Sequence, residues 1–187
     1  MSTDGVQFKF NGLNQRGWCK LNTDGASLGN PGKAGIGGLI RDHRGEWLKG
    51  FSRGIGSTTS VIAEFWAVRD GLLLAAQMGI PLLEVECDVK IVTDLLLSNL
   101  LPNKTYTPSL LDYRSLLTRF QQIKLNHTYR EANSCTNAMV RVGCLQQDNF
   151  VVFNNSPTPE ISSFVNSNAI GMYYVRRCAR IMPNMAL

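Results

Sequence analysis

The alternation of apolar and polar residues predicts several strands in the first third of the chain. From Trp18 to Asp24, side chains alternate with the two-residue period of a β-strand. The segments Ala34–Arg41 and Glu46–Ser52 are two further strand candidates. Gly25–Gly32 and residues 42–45 carry turn chemistry between them. Three short strands joined by tight turns are typical of an antiparallel meander.

A helical period follows this meander. Hydroxyl residues between Ser57 and Ser60 offer N-caps for a long helix that runs to Met78. Its apolar positions recur at helical spacing, at Val61, Phe65, Val68 and Leu72. The remaining pattern predicts a strand, two helices, a strand and a helix, over 82–88, 90–100, 109–121, 123–129 and 133–146.

This order of elements restricts the topology. Helical crossovers require the first, fourth and fifth strands to run parallel, with right-handed connections. The sequence therefore predicts an α/β fold, with a five-stranded mixed sheet in the order 3-2-1-4-5 flanked by helices. We expect the domain to span residues 17–150, after a lead-in over residues 1–16. Residues 151–187 are expected to form a surface tail with at most one added helix.

Composition limits the functional classes. A length of 187 residues suits one domain, and a net charge of +5 favours polyanionic partners. No apolar run approaches the length that spans a bilayer, and no secretory signal is visible, so we expect no membrane association. The five cysteines contain no Cys-x-x-Cys pair, which argues against a zinc site or a disulfide framework. We expect free thiols in an intracellular, reducing compartment, either the nucleus or the cytoplasm.

Three carboxylates are predicted to converge at one edge of the sheet. Asp24 and Asp88 end neighbouring parallel strands, where open α/β sheets bind ligands. Glu64 lies on the side of the long helix that should pack on the sheet. A divalent cation would remove the repulsion among these acids, and hard oxygen ligands suit Mg²⁺ or Mn²⁺. Separate roles stay open, with Asp24 in a turn, Glu64 at a helix N-terminus and Asp88 as a helix cap.

Longer motifs give a resemblance to a known family. The segment Asn22–Gly32 reads NTDGASLGNPG and precedes Gly-x-Gly and an arginine, while residues 127–133 read HTYREAN. Ala63-Glu64 and Glu86-Cys87-Asp88 complete the pattern. Over residues 17–147 the chain resembles type 1 ribonucleases H, and most closely the plant ribonuclease H-like domains related to non-LTR retrotransposon polyproteins.

The resemblance implies a two-metal catalytic site, holding two Mg²⁺ or Mn²⁺ ions, that hydrolyses the RNA strand of RNA–DNA hybrids. Asp24, Glu64 and Asp88 match three of its four acidic ligands, but the fourth position is Asn137. An amide oxygen can ligate a hard cation but brings no negative charge, so we expect one ion to bind more weakly. His127 matches a histidine that assists proton transfer or product release.

The resemblance also implies substrate-binding positions. Gly25 and Asn30 match positions that contact the duplex, although a plain turn is the alternative for Asn30. Lys90 follows Asp88, and Val89 stands where the family usually has a serine that can bond a phosphate. Further cations along the meander are Lys33, Arg41, Arg44, Lys49 and Arg53.

Two functions remain open at this point. The first is a metal-dependent endonuclease acting on RNA–DNA hybrids. The second is an inactive module of the same fold that binds nucleic acid or protein, which Asn137 and Val89 favour. The GNPG and REAN segments disfavour an integrase-like or exonuclease-like function. We expect a monomer. Bacterial ribonucleases H carry a basic helical insertion before the last strand, and the corresponding residues 100–106 contain one lysine here. We therefore expect that affinity for the hybrid is weak or depends on fused or partner polymerase-type domains.

Overall fold

The computed structural model describes residues 7–8, 16–87, 113, 115–127, 134–146, 149–159, 161–163, 165 and 174–175. The strands are β1 Gln7–Phe8, β2 Cys19–Gly29, β3 Gly32–Arg41, β4 Trp47–Thr58, β5 Leu82–Cys87, β6 Gln122–His127, β7 Val151–Phe153 and β8 Tyr174–Val175. The two long helices are α1 Ser60–Gln77 and α2 Ser134–Leu145. The predicted helix over 90–100 lies outside the described residues. Of the one over 109–121, residue 113 and residues 115–121 are described, and residues 113 and 115–117 are helical.

Six strands form one mixed sheet in the order β6-β5-β2-β3-β4-β7. Strands β2, β3 and β4 are an antiparallel meander, and β5 runs parallel to both β2 and β6. The predicted order 3-2-1-4-5 is confirmed for the five predicted strands, which are β4, β3, β2, β5 and β6 in that order. The predicted count of five is wrong, because β7 pairs antiparallel with β4. At three residues, β7 is too short for an alternating pattern to show in the sequence.

Three strands, β1, β7 and β8, lie outside the predicted domain. Strand β7 follows the boundary that we placed at residue 150, and β1 pairs with β8 in a separate two-stranded sheet. The division into lead-in, domain and tail stays a prediction. No helix in the described ranges is long and apolar enough to cross a membrane.

The hairpin of β2 and β3 is longer than predicted. The turn expected over Gly25–Gly32 is wrong in extent, because only Asn30 and Pro31 connect the two strands. A Cβ atom on Gly25 would lie 2.3 Å from the carbonyl carbon of Ala63 in α1. Glycine is therefore required at Gly25 for the close approach of a helix, and not for a turn.

Helix α1 packs on one face of the sheet through the predicted stripe. Phe65, Val68 and Leu72 are buried, and Val61 packs against the same core. The helix begins after Thr59, whose hydroxyl accepts a hydrogen bond from the backbone N–H of Ile62 at 3.4 Å. The predicted hydroxyl cap and the apolar stripe are both confirmed.

Helix α2 packs on the opposite face, directly on glycines of β3. A Cβ atom on Gly37 would lie 2.7 Å from the Cβ of Met139, and one on Gly35 would lie 2.4 Å from the backbone nitrogen of Cys144. Such distances are far inside van der Waals contact, so α2 can sit at this depth only over glycines. The glycines thereby set how closely Asn137 approaches the sheet.

We expect Gly37→Ala to destabilise the fold by about 1–3 kcal/mol, because the added methyl group must displace the backbone of α2. Urea denaturation followed by circular dichroism measures this loss. The control is Lys33→Ala, an exposed position on the same strand, which should change stability by less than about 0.5 kcal/mol. Equal stability of Gly37→Ala and the native chain would show that α2 does not rest on β3 in this way.

Candidate functional site

Asp24 lies inside the sheet near the point where the two parallel strands end. It is 1% exposed, and it follows Asn22, which pairs with Glu86 on β5. Strands β2 and β5 are neighbours, as predicted for the strands that carry Asp24 and Asp88. Asp88 comes directly after the end of β5 and lies outside the described residues, so its place in the site stays a prediction.

Glu64 approaches the same strand from helix α1. It is 2% exposed, which confirms that its side chain is turned away from solvent. Its backbone nitrogen lies 2.4 Å from the position that a Cβ of Gly25 would occupy. The missing side chain at Gly25 thus places Glu64 directly beside the residue that follows Asp24.

Asn137 and Asp24 share one cleft. The cleft has a volume of about 620 Å³ and lies between β2 and α2. Its lining residues are Asp24, Ala26, Leu28, Asn137, Val140, Arg141, Cys144 and Leu145. The structure therefore brings two of the predicted ligands together. Glu64 is not among the residues that line the cleft.

His127 ends strand β6 and is exposed. It pairs in register with Cys87, the residue before Asp88. Because β5 and β6 are parallel, His127 lies at the same edge of the sheet as the end of β5. It is outside the cleft, and its role in catalysis stays a prediction.

The predicted substrate-binding residues have structural roles of their own. Gly25 is buried against α1, as described above. Asn30 is exposed, and its side-chain oxygen accepts a hydrogen bond from the backbone N–H of Ser60 at 3.2 Å. This bond ties the tip of the hairpin to the start of α1. Lys90 lies outside the described residues, and duplex contacts by all three positions stay predictions.

Among the cations predicted along the meander, Arg41 is a correction. It is 1% exposed and donates a hydrogen bond to the side-chain oxygen of Asn22 at 2.6 Å, so it cannot meet a ligand at the surface. Arg53 is half-buried and forms an ion pair with Asp70 at 3.1 Å. Lys33 is exposed, as predicted. The remaining two, Lys49 and Arg44, bond to Asn154 and Asp42.

A buried polar network crosses three strands beside the site and was missed from the sequence. Glu86 accepts hydrogen bonds from Lys20 at 2.7 Å and from Asn22 at 2.8 Å. The side-chain oxygen of Asn22 in turn accepts a hydrogen bond from Arg41. The alternation from Trp18 to Asp24 showed that Lys20, Asn22 and Asp24 share a face. It gave no sign that this face is covered. Because its polar groups are paired across strands, the network fixes the register of β2 against β5 just before Asp24.

Two cleft residues on α2 were also missed. Arg141 lies one helical turn after Asn137, a spacing that places both on one face of α2. Burial raises the pKa of the Cys144 thiol; Lys33 opposes that shift, and the carboxylate of Asp24 adds to it. A thiol with a raised pKa stays protonated and neutral near pH 7. Besides Cys144, the ionisable side chains among the described residues that line the cleft are those of Asp24 and Arg141.

The donor set suits a hard cation. Two buried carboxylates and an amide oxygen are the ligand types that Mg²⁺ and Mn²⁺ accept. A cation bound beside these carboxylates would offset the repulsion between them. Within the described ranges, no three His, Cys, Asp or Glu side chains converge on a point that could hold a metal. The third predicted acid, Asp88, lies outside those ranges.

Comparison with known sequences gives the family. Residues 22–143 match the model of the reverse transcriptase-like family. A protein of Arabidopsis thaliana, provisionally named a ribonuclease H protein, is 32% identical over 161 residues. The match covers 86% of this chain and 26% of that relative, so the chain spans about a quarter of the relative's length.

Comparison with solved structures gives the fold. Ribonuclease H1 from the archaeon Halobacterium salinarum superposes with a TM-score of 0.64 and 28% identity, over 67% of this chain and 96% of that one. A second ribonuclease H1, LC11, in complex with an RNA/DNA hybrid, gives 0.62 and 26%, over 67% and 96%. The predicted fold and family resemblance are both confirmed: the chain belongs to the reverse transcriptase-like family and has a ribonuclease H fold.

Proposed function

We propose that the chain is a metal-dependent endonuclease that hydrolyses the RNA strand of RNA–DNA hybrids. One observation carries the proposal: Asp24 on β2 and Asn137 on α2 line a single cleft, with Glu64 buried beside the next residue of β2. The provisional name of the plant relative and the hybrid-bound LC11 structure support the same activity.

The residues that would hold the metal are Asp24, Glu64, Asp88 and Asn137. Two bound ions would supply the activation of a water molecule and the stabilisation of the leaving 3′-oxygen. Asp24 and Glu64 contribute fixed negative charge from rigid elements, a strand and a helix that pack backbone to backbone. Asn137 would contribute an oxygen without charge, so a second ion would be held by fewer carboxylates.

Other residues of the chain would orient the substrate and move protons. The exposed tip of the β2–β3 hairpin, with Asn30 and the nearby Lys33, can reach the minor groove of a hybrid, where the 2′-hydroxyls distinguish RNA from DNA. His127, which is exposed at the end of β6, would assist proton transfer or product release. Further domains would add affinity, since few exposed cations lie on the hairpin.

A second candidate function is a binding module without hydrolysis, and Asn137 is the observation that favours it. The loss of one fixed negative charge at a two-metal centre is costly. Such a module would keep the fold and the cleft and would bind nucleic acid without cutting it.

The two candidates are separated by cleavage of an end-labelled RNA–DNA hybrid with Mg²⁺ or with EDTA. The endonuclease should produce internal cuts in the RNA strand only with Mg²⁺, and should leave single-stranded RNA and double-stranded DNA intact. Binding of the hybrid without any cut, in both Mg²⁺ and Mn²⁺, would support the module instead.

We expect Mg²⁺ or Mn²⁺ to raise the melting temperature of the native chain, because the ion stabilises buried carboxylates that repel each other. At an ion concentration of 100 times its dissociation constant, binding would raise the free energy of unfolding by about 2.7 kcal/mol. Asp24→Asn should abolish the response to metal. Differential scanning fluorimetry with and without the ion gives both results.

The control for this experiment is Glu46→Gln, an exposed acid in the turn at the far end of the β3–β4 hairpin. It should keep the full response to metal. A native melting temperature that ignores both ions would show that these acids do not form a metal site.

We expect Asn137→Asp to raise hybrid cleavage at limiting Mg²⁺ by about tenfold or more, because about 1.4 kcal/mol of added attraction for the second ion is already a factor of ten. High Mg²⁺ or Mn²⁺ should rescue the native chain in part, by mass action. Initial rates across a metal titration measure both effects.

The same titration has two contrary outcomes. Background rates for Asn137→Asp at every metal concentration would reject the endonuclease and leave the binding module. Equal rates for the native chain and Asn137→Asp at limiting Mg²⁺ would show that the amide oxygen alone suffices.

A further inference from the structure

Arg141 is the cation among the described residues that line the cleft. It is exposed, it lines the cleft together with Asp24, and it follows Asn137 by one turn of α2. Within the part of the chain that the structure describes, Arg141 forms no ion pair, whereas Arg44, Arg53 and Arg69 each do. Its guanidinium group therefore keeps its donors available for a molecule that enters the cleft.

We propose that Arg141 binds a backbone phosphate of the nucleic acid inside this cleft and holds it against Asp24 and Asn137. The proposal deepens the proposed function and rests on it. Arginine is permanently protonated, and its planar fork matches two oxygens of a phosphate. A guanidinium group on a helix that packs tightly on the sheet is a rigid place for such a contact.

The residues that line the cleft can contact the sugar of a nucleotide in addition to its phosphate. Leu28 on the hairpin is 66% exposed and Leu145 at the end of α2 is 82% exposed, and both line the cleft. Apolar side chains beside one cation and one carboxylate fit a sugar whose phosphate points inward.

The substitution at Asn137 gives Arg141 added importance. In hydrolysis, a water oxygen forms a bond to phosphorus, the bond from phosphorus to the 3′-oxygen breaks, and the 3′-oxygen takes a proton to become a hydroxyl. The phosphate keeps the water oxygen and becomes a 5′-phosphate end. Negative charge grows on the phosphate oxygens and on the leaving oxygen during this step. Because Asn137 brings no charge to hold a second ion, the fixed positive charge of Arg141 supplies part of that stabilisation.

The first test measures binding without metal. The probe is a fluorescein-labelled RNA–DNA hybrid in EDTA, with anisotropy recorded over a range of salt concentrations. Loss of one phosphate contact should lower the slope of log K against log salt by about 1, so Arg141→Ala should show this change and weaken binding about five- to tenfold. Arg141→Lys should keep the slope, because the charge is retained.

The matched control is Arg119→Ala. Arg119 is exposed and lies shortly before β6. It is therefore at the end of the sheet where the parallel strands begin, whereas the cleft lies towards the end where they finish. The slope of log K against log salt for Arg119→Ala should equal that of the native chain. Thermal melting of all variants excludes unfolding as a cause. An unchanged salt slope in Arg141→Ala, or an equal loss in Arg119→Ala, would overturn the proposal whether or not the chain cuts RNA.

The second test measures cleavage in two backgrounds. Arg141→Ala should lower kcat at least tenfold in the native Asn137 chain, and less than about threefold in Asn137→Asp, where the restored carboxylate holds the second ion. Equal losses in both backgrounds would overturn the link between Arg141 and Asn137. If no variant cuts RNA while the salt slope still falls by about 1, the endonuclease fails and Arg141 stands as a phosphate-binding residue of a binding module.

Discussion

Backbone-to-backbone packing at glycine is the constraint on which this structure depends. On one face of the sheet, Gly25 lets the first turns of α1 touch β2. On the other face, Gly35 and Gly37 let α2 touch β3. A single methyl group would block each contact, and each contact brings a predicted metal ligand, Glu64 or Asn137, towards the same stretch of β2. The glycines thus set the depth at which both helices lie on the sheet, and the proposed metal site would require such rigid placement of its ligands.

A second constraint acts along the strands. Lys20, Asn22, Glu86 and Arg41 form a paired polar layer across β3, β2 and β5. Buried polar groups are costly unless each finds a partner, and a slip of one residue would break every one of these pairs. The layer therefore fixes one register for β2 against β5. Asp24 lies directly beyond it, so the height of the carboxylate within the sheet is set before any ligand is present.

Much of the fold could be predicted because its signals are local. A two-residue period marks β2 and β5, a helical stripe marks α1, and the handedness of crossovers fixes the strand order. The same helical pattern predicted that Glu64 lies on the side of α1 that packs on the sheet. Other features could not be predicted. A glycine needed for close packing, such as Gly25, looks in sequence like a turn glycine. Alternation shows which residues share a face but not whether that face is covered, and so Arg41 was expected at the surface. In the sequence, Arg141 is simply a basic residue four positions after Asn137. This spacing is too common to identify it as a functional candidate.

The short strand β7 has a consequence for how the protein avoids sticking to itself. An open sheet has two edges, and each edge presents backbone donors and acceptors that can template pairing with another chain. Here β7 covers Gly50, Phe51 and Ser52 of β4, and it ends the sheet with only three residues. A strand this short offers little length for intermolecular pairing, and its neighbour Phe150 stacks on Phe51 at 5.5 Å between ring centroids. Strand β7, which the sequence predicts to be part of a surface tail, therefore protects β4, the longest strand of the sheet. A fragment ending at residue 150 would leave the middle of β4 exposed to pairing with other chains and thus to aggregation.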